Sequence, residues 1–475
     1  MHHPTPEQLS SPGSRTEAIA AARALAHNGH FLELLSRRVA LRTSSQEDPT
    51  GPAMTSYLRD EMTPYLQALG FRCELHPNPL QGAGPLLLAE RSESDSDFTV
   101  LSYGHADVIR GQDDRWRPGL SPWTLQREGE RVYGRGTADN KGQHSINFEA
   151  LRSVLAIRGR LGFNLKLILE TGEETGSPGL AAFCEQHRER LAADLFLASD
   201  GPRIRPDQVT LYGGSRGVIN FDLRIDARDG AHHSGNWGGL ISNPGIRLAH
   251  AIAAICDARG SIKLNAWRPN SLTPQIREAL HAIEIDAGEQ GPRIEPDWGE
   301  PGLSPAERVY AWNSFEVLAF QTGNPAAPVN AIPGQAHAHC QLRFVVGTDM
   351  HQVVSDLRKH LVESGFSDVQ VLDPVKPPMA ATRLDPLDPW CLFAVASVEQ
   401  TLGKKPGVLP NLGGSLPNEV FADILGLPTI WVPHSYAACN QHAPNEHMLM
   451  PIIEEGLAVM AGLFWDLGDP AQPKP

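Results

Sequence analysis

The sequence predicts an α/β protein, with a mostly parallel sheet covered by helices on both faces and a smaller α+β domain inserted into it. Short apolar runs alternate with helical patterns over the first 200 residues, strands of alternating polarity replace them beyond residue 209, and the first pattern returns near residue 378. Parallel strands buried on both faces are apolar throughout, whereas half-exposed antiparallel strands alternate. We therefore expect segments 1–210 and 378–475 to form one domain and 211–377 to form the insert.

The first segment contains helical patterns followed by buried strands. Apolar residues recur at helical spacing over 16–43 and 54–69, and 145–159 is a further helix closed by Gly159. The compact apolar runs of strand length are 98–105, 163–170 and 193–200. Each run ends at an acidic or histidine-bearing motif, and ligands of such sheets bind at the carboxyl ends of the strands.

The insert and the last segment have their own patterns. Apolar and polar residues alternate over 217–227 and 336–346, and helical stretches at 243–258 and 350–365 follow these strands. Residues 260–312 are rich in Pro, Gly and charge and form a lobe with one helical piece, 273–286. The last segment is predicted to contain a helix, a strand and a terminal helix at 389–403, 428–434 and 451–467.

The composition of the sequence argues against several classes of protein. A formal net charge of −14 argues against nucleic acid as a partner, because nucleic-acid binding depends on Lys and Arg. The sequence has no apolar run long enough to cross a membrane, and its N-terminus lacks the pattern of a secretory signal. Its six cysteines are scattered without a CxxC pair, which predicts reduced thiols in a cytoplasmic protein.

Five short motifs carry the chemistry. In chain order they are His105-Ala-Asp107, Asp139 in GRGTADNKG, Glu173-Glu174 in ETGEETGSPG, Asp200 in ASDGP, and His442 in NQHAPNEH. Taken singly, the first three are explained by ordinary polar turns or loops and His442 by a surface histidine, whereas Asp200 ends a strand where an unpaired buried carboxylate would be costly. Together, carboxylates gathered at one edge of a sheet would repel one another unless cations were present. The set therefore predicts a hydrolytic site with two divalent metal ions.

Residue spacing refines this prediction. His105 and Asp107 are two apart at a strand end, so the carboxylate can brace the imidazole. Glu173 and Glu174 are neighbours on a backbone predicted to be extended, so their side chains diverge, and one can ligate while the other reaches a water. The GGSRG segment at 213–217 matches the GxSxG pattern of serine hydrolases, but a strand rather than a helix is predicted to follow it.

The ordered motifs, together with HHSGNWGG, NAIPGQAHAHCQLR and GGSLP, resemble the M20 metallopeptidase family, which includes carnosinase, carboxypeptidase G and succinyl-diaminopimelate desuccinylase. The similarity spans nearly the whole chain. It implies a zinc-exopeptidase-like fold, with a catalytic domain formed by 1–210 and 378–475 and a lid and dimerisation domain formed by 211–377. The long 260–312 segment resembles the carnosinase-like branch. Thr171 departs from the family, which often has Gly there.

The resemblance also implies a ligand set. Asp139 would bridge two metal ions. His105 and Asp200 would bind one of them, and Glu174 and His442 would bind the other. The metal would be zinc, with cobalt or manganese as alternatives.

Other residues receive roles by the same resemblance. Glu173 would be the general base, Asp107 would orient His105, and His233 would reach the active site of a partner subunit and stabilise the oxyanion. The residues that would hold the substrate carboxylate are Asn330, Arg343, Gly414 and Ser415.

We therefore expect a homodimeric two-metal amidohydrolase that cleaves a peptide or N-acyl amide bond next to a free carboxylate. Two alternatives remain open. One is a deacylase of N-acyl amino acids rather than a dipeptidase. The other is a family member without catalysis that acts as a binding or scaffold protein.

Overall fold

The computed structural model describes residues 13–93, 96–285, 292–471 and 474. The chain forms two compact units. Unit 1 comprises Met1–Leu211, Leu387–Gly407 and Ile424–Pro475, and unit 2 comprises Tyr212–Pro386 and Val408–Asp423. The first 12 residues, part of the N-terminus predicted to lack a secretory signal, lie outside the described residues. In the described ranges, no helix is both long enough and apolar enough to span a bilayer.

The structure contains α-helices of between one and five turns. In chain order they are α1 Arg15–His27, α2 His30–Ala40, α3 Pro52–Ser56, α4 Thr63–Ala68, α5 Lys141–Arg158, α6 Leu180–Gln186, α7 Arg188–Leu191, α8 Ser234–Trp237, α9 Pro244–Ile255, α10 Pro274–His281, α11 Pro305–Tyr310, α12 Val353–Glu363, α13 Pro389–Leu402 and α14 Met450–Leu467. A π-helical turn joins α3 to α4, and a second lies at Val420–Ile424. The 3₁₀ turns are Asp113–Arg115, Glu173–Thr175 and Asn265–Trp267.

The strands form two main sheets and several short pairings. In chain order they are β1 Arg72–His76, β2 Leu86–Arg91, β3 Thr99–His105, β4 Gln126–Glu128, β5 Arg131–Tyr133, β6 Asn164–Glu170, β7 Leu195–Ala198, β8 Pro202–Arg203, β9 Thr210–Tyr212, β10 Gly217–Asp226, β11 His232–His233, β12 Ser314–Thr322, β13 Ala331–Ile332, β14 Gln335–Phe344, β15 Gln370–Leu372, β16 Gly407–Leu409, β17 Thr429–Trp431, β18 Ser435–Tyr436 and β19 His447–Leu449.

The large sheet has the strand order β1-β2-β6-β3-β7-β17-β9-β16. Strands β6, β3, β7 and β17 run parallel to their neighbours in that group, and β1 and β2 are antiparallel at the edge. The three apolar runs of the sequence are β3, β6 and β7, and β7 is buried along its whole length. The predicted α/β class is confirmed, because strands this apolar are stable only when other elements cover them.

Local signals set the helix bounds in unit 1. The helical pattern over 16–43 divides into α1 and α2 where Gly29 adopts a positive φ of 87°. Helix α1 begins with a capping box between Ser14 and Glu17. Helix α5 ends at Gly159, as predicted, because this glycine adopts the left-handed conformation that closes a helix.

The sheet of unit 2 has the order β12-β14-β10-β15, and its neighbouring strands are antiparallel. Residues of β10 and β14 alternate in burial, and the buried side chains pack with those of α9 and α12 in one apolar core. The predicted helix 273–286 is the shorter α10, and residue 286 lies outside the described residues. Strand β10 follows Ser215, which is buried, so this serine lacks the strand–turn–helix setting of a nucleophile.

Unit 2 also contains residues that lie outside the predicted insert. Residues 378–386 and 408–423 belong to it, although the pattern along the chain placed them in the segment 378–475. Met379 pairs with Val218, and Leu412 pairs with Ser215, through isolated β-bridges. Such pairings between distant segments leave no periodic signal in the sequence.

Candidate active site

Three of the predicted metal ligands follow neighbouring parallel strands of unit 1. His105 is the last residue of β3, Asp200 lies two residues beyond β7, and Glu174 lies in the 3₁₀ turn that follows β6. Because β6, β3 and β7 are adjacent and parallel, their carboxyl ends meet at one edge of the sheet. The sheet therefore gathers these side chains in one place.

Asp139 reaches the same place from the loop before α5. Oε1 of the buried Glu446 accepts hydrogen bonds from the backbone N–H groups of Gly136, Ala138 and Asp139, at 3.0, 2.9 and 3.1 Å. Its Oε2 accepts one from Arg135 Nη1 at 2.7 Å. Glu446 thus fixes the loop that carries Asp139. Glu446 lies within the NQHAPNEH motif, but its residue type and position in that motif did not indicate this role.

The carboxylate of Asp139 lies at the centre of the site. Its Oδ1 is 2.9 Å from Nε2 of His105, and that nitrogen is 3.5 Å from Oδ2 of Asp200. Its Oδ2 is 3.0 Å from Nε2 of His442, which is 2.9 Å from Oε2 of Glu174. Two sets of three donors result, each with its donor atoms within 4.8 Å of one another, and Asp139 belongs to both.

Asp107 braces both the imidazole and the acidic turn. Its Oδ1 is 3.3 Å from Nδ1 of His105, and its Oδ2 accepts a hydrogen bond of 2.6 Å from Ser45 Oγ. The backbone N–H groups of Glu173 and Glu174 each donate to this carboxylate at 3.2 Å. One buried aspartate therefore fixes the histidine and the turn that holds the two glutamates. No motif in the sequence pointed to Ser45.

The backbone of Glu173 and Glu174 differs from the extended conformation that we expected. The two residues begin a single 3₁₀ turn, Glu173–Thr175, because the chain turns immediately after β6. Successive side chains in such a turn are about 120° apart around the axis. The two carboxylates therefore still point in different directions, for a different reason from the one expected.

In the donor set formed by Asp139, Glu174 and His442, the pKa values reflect closely spaced negative charges. Burial, reinforced by the charge of Asp139, raises the pKa of Glu174 to about 7. Hydrogen bonds to Asp139 and Glu174 raise the pKa of His442 to about 11. Burial also raises the pKa of Glu173 well above its usual value, and the charges of nearby carboxylates add to this effect.

The donor set formed by His105, Asp139 and Asp200 also contains more negative than positive charge. Burial opposes a charged imidazole at His105, yet hydrogen bonds to Asp107, Asp139 and Asp200 outweigh it and raise the pKa of His105 well above its usual value. Burial likewise opposes ionisation of Asp139, but His105 and His442 lower its pKa. The site thus has more carboxylates than its two imidazoles can neutralise. Its nitrogen and oxygen donors and its excess negative charge suit two divalent cations.

Three of the predicted substrate-binding residues lie together in unit 2. Arg343 Nη1 donates to Ser415 Oγ at 2.9 Å, and Ser415 Oγ donates to the carbonyl of Arg216 at 2.6 Å. The carbonyl of Gly414 accepts from the backbone N–H of Arg216 at 3.1 Å. Burial, together with the charge of Arg343, lowers the pKa of Arg216 to about 10. In the sequence Arg216 lies within GGSRG, a pattern that gave no indication of its place in this cluster.

The other two predicted residues of unit 2 form a separate pair. His233 on β11 is the cross-strand partner of Ala331 on β13, next to Asn330. The carbonyl of Asn330 accepts from the backbone N–H and from Oγ of Ser234, at 2.9 and 3.1 Å. His233 is exposed, and its Nδ1 accepts from the backbone N–H of Gly235 at 3.1 Å. The structure thus brings His233 close to Asn330.

The sequence profile of peptidase family M20/M25/M40 matches residues 101–466. The chain is 24% identical over 468 residues to the Beta-Ala-His dipeptidase of Homo sapiens, covering 93% of this chain and 90% of that protein. It is 32% identical over 366 residues to the Cysteinylglycine-S-conjugate dipeptidase of Corynebacterium striatum, covering 75% and 77% respectively. Its fold is similar to that of an M20 family metallo-carboxypeptidase from Sulfolobus solfataricus, with a TM-score of 0.76, 23% identity, and coverage of 92% of this chain and 99% of that one.

The family profile matches more than half of the chain, and the structure places the predicted ligands His105, Glu174, Asp200 and His442 around the carboxylate of Asp139. The predicted membership is therefore confirmed: the chain belongs to peptidase family M20/M25/M40 and is a metal-dependent hydrolase.

Proposed function

We propose that this enzyme is a two-metal dipeptidase that cleaves the peptide bond next to a free carboxylate. The observation that carries the proposal is the sharing of Asp139 by two sets of three donors. Two divalent cations held there, zinc first and cobalt or manganese as alternatives, would polarise the scissile carbonyl and lower the pKa of the attacking water. In this proposal Asp139 bridges, and the remaining ligands are His105 and Asp200 on one cation and Glu174 and His442 on the other.

Glu173 is the proposed general base. It shares the 3₁₀ turn of Glu174 but belongs to neither donor set, so its carboxylate remains available for proton transfer. In the proposed reaction it takes the proton of the attacking water and passes it to the leaving amine. The hydrogen bonds from the turn to Asp107 hold Glu173 in position for both transfers.

The cluster around Arg343 is the proposed site for the substrate carboxylate. Two guanidinium groups, those of Arg343 and Arg216, lie close enough for the charge of one to affect the pKa of the other. Paired cationic donors beside the Ser415 hydroxyl suit a carboxylate. Dipeptides and N-acyl amino acids share this group, so the cluster alone does not choose between them. The names of the relatives, Beta-Ala-His dipeptidase and Cysteinylglycine-S-conjugate dipeptidase, favour dipeptides.

A substrate panel tests this function. Enzyme loaded with Zn²⁺, Co²⁺ or Mn²⁺ is assayed on dipeptides, on their C-terminal amides and on N-acetyl amino acids with the same C-terminal residue. We expect dipeptides to be the best substrates. We expect their amides to lose about 10- to 100-fold in kcat/KM, because a charge-assisted contact contributes about 1.5–3 kcal/mol.

The other possible results of this substrate panel would indicate other functions. Faster hydrolysis of N-acetyl amino acids would identify a deacylase, and equal rates on acids and amides would remove the carboxylate from recognition. A metal-loaded protein that hydrolysed none of these compounds would contradict the dipeptidase proposal and favour the binding or scaffold alternative.

We also propose that the enzyme is a homodimer formed through unit 2. Strand β12 is the edge of its sheet and exposes Val317, Leu318 and Phe320 by 39%, 54% and 43%. Ile246, on the neighbouring helix α9, is also exposed. A long edge strand with exposed apolar side chains invites pairing with a second copy.

The two groups of substrate-binding residues favour a site shared between subunits. Asn330 lies a few residues before the Gln335 end of β14, and His233 on β11 pairs with the next residue, Ala331. Arg343 lies near the other end of β14. The eight residue steps between Gln335 and Arg343 span about 27 Å of strand, whereas a dipeptide backbone spans about 7 Å. This separation favours an arrangement in which the two groups that contact one dipeptide come from different subunits.

Subunit exchange tests this shared site. We mix His233→Ala protein with Glu173→Gln protein, each expected to be nearly inactive alone. Random exchange should restore about a quarter of the wild-type activity, because half of the dimers are mixed and each has one intact site. Activity is measured beside the fraction of mixed dimers, obtained with two affinity tags.

A second mixture is the matched control. His105 and Glu173 both belong to unit 1, so mixing His105→Ala with Glu173→Gln should restore nothing. If mixed dimers form and the His233→Ala mixture also stays inactive, His233 acts within its own chain or has no role in catalysis.

The domain roles and the compartment remain proposals. We propose that segments 1–210 and 378–475 form the catalytic domain, which supplies the metal ligands and the general base, and that 211–377 acts as the lid and dimerisation domain. All six cysteines are free thiols, which is typical of proteins in a reducing compartment. We therefore propose a cytoplasmic location.

A further inference from the structure

The open face of the unit 2 sheet carries a cluster of two histidines and one aspartate. His337 and His339 are two residues apart on β14, so their side chains point to the same face. Asp222 on β10 is the direct cross-strand partner of His339. The alternating residues Ala336 and Ala338 are buried on the opposite face, which fixes the direction of the histidines.

The two imidazoles converge on one oxygen atom. Oδ1 of Asp222 lies 2.9 Å from Nε2 of His337 and 2.8 Å from Nδ1 of His339. The two nitrogens therefore lie at most 5.7 Å apart. Partial burial of Asp222 opposes its ionisation, but the two histidines hold its pKa below the usual value. The cluster thus combines an anionic oxygen with two nitrogen donors.

These donors are those that borderline transition metals bind. Two imidazoles and a carboxylate suit Zn²⁺, Co²⁺, Ni²⁺ or Cu²⁺, with water in the remaining positions. Metal–nitrogen bonds of about 2.0–2.1 Å would bring the two nitrogens to about 3.4 Å in tetrahedral geometry. The side chains of His337 and His339 are 49% and 42% exposed, so they can make this movement without disturbing the core.

The cross-strand neighbours tolerate an added cation. On β12, Ala319 lies opposite His339 and Gln321 lies opposite His337, and neither residue carries charge. On β10, Arg224 lies opposite His337, and its guanidinium forms an ion pair with Asp226 at 2.9 Å. Its positive charge is therefore partly neutralised.

We propose that Asp222, His337 and His339 form a third site for a divalent transition-metal ion. It shares no residue with the site around Asp139, and it belongs to unit 2 alone. Its donors are partly exposed and include one carboxylate, so it binds metal more weakly than the predicted pair of catalytic ions. The enzyme would then bind more metal than its chemistry uses.

Calorimetric titration with Zn²⁺ tests the third site. The full-length enzyme is first saturated with Zn²⁺ and freed of excess metal by gel filtration, so that its tight sites stay filled. We expect one further Zn²⁺ per chain. The double variant His337→Gln/His339→Gln should lose this equivalent, and Asp222→Asn should weaken it at least about tenfold, because each change removes donors. Circular dichroism and dipeptide hydrolysis report whether the variants are folded.

Two further variants test whether the weaker Zn²⁺ binding depends on these three residues alone. His351→Gln removes another exposed histidine of unit 2 and should leave the binding unchanged. His105→Ala/His442→Ala removes predicted catalytic ligands and should still bind the weaker ion, so failure of the catalytic proposal and failure of this one are distinguishable. Equal Zn²⁺ binding by wild type and the folded His337→Gln/His339→Gln variant, or no further equivalent in wild type, would overturn the proposal.

Discussion

Glu173→Gln is expected to remove most of kcat while both metal ions remain bound. Glutamine has nearly the same shape but cannot accept the proton, and a general base contributes about 10²- to 10⁴-fold to the rate. Because Glu173 belongs to neither donor set, its replacement leaves every predicted ligand in place. Steady-state kinetics and elemental analysis of the same preparation measure the two quantities together.

The adjacent residue is the matched control. Glu174→Gln makes the same chemical change one position along, but it removes a donor from the set of Asp139 and His442. We expect this variant to lose metal as well as activity. Near-normal turnover of Glu173→Gln would assign the base to another group, and loss of metal from Glu173→Gln would make it a ligand.

Removal of metal is expected to abolish hydrolysis, with recovery when Zn²⁺, Co²⁺ or Mn²⁺ is restored. The site gathers more carboxylates than its two imidazoles can neutralise, and divalent cations supply both the missing positive charge and the Lewis acid. We expect at least about a 1,000-fold loss, because polarisation of a carbonyl by a metal contributes several kcal/mol.

Elemental analysis checks the stoichiometry of the catalytic site. After removal of weakly held metal, about two ions per chain should remain in the active protein, and their loss should parallel the loss of turnover. The His337→Gln/His339→Gln variant serves as a reference that lacks the proposed third site. Full turnover in protein shown to be free of metal would end the two-metal proposal.

The sequence predicted that much of the candidate metal site would come together, because the information for this prediction is local. His105, Glu174 and Asp200 each follow an apolar run, and such runs are the buried parallel strands β3, β6 and β7. The carboxyl ends of adjacent parallel strands meet, so the order of motifs was enough to predict that these side chains converge. Local pattern also predicted the end of α5, since Gly159 adopts a positive φ.

The conformation of the acidic turn was harder to predict. The expectation of an extended backbone at Glu173 and Glu174 was wrong, because an apolar strand pattern does not show where the chain begins to turn. The turn is held by Asp107, which follows strand β3 rather than β6. Its carboxylate accepts hydrogen bonds from the backbone N–H groups of both glutamates. That interaction depends on the pairing of β3 with β6.

The sequence by itself determined the α/β class, the family, and the types and order of the predicted ligands, because periodicity and motif chemistry are properties of short segments. Only the tertiary structure decided that Glu446 fixes the Asp139 loop, that Arg216 joins Arg343, and that the two groups of predicted substrate-binding residues lie near opposite ends of β14. These arrangements depend on hydrogen bonds and strand pairing between segments up to about 300 residues apart. Such contacts form only when the chain has folded, so no local pattern records them.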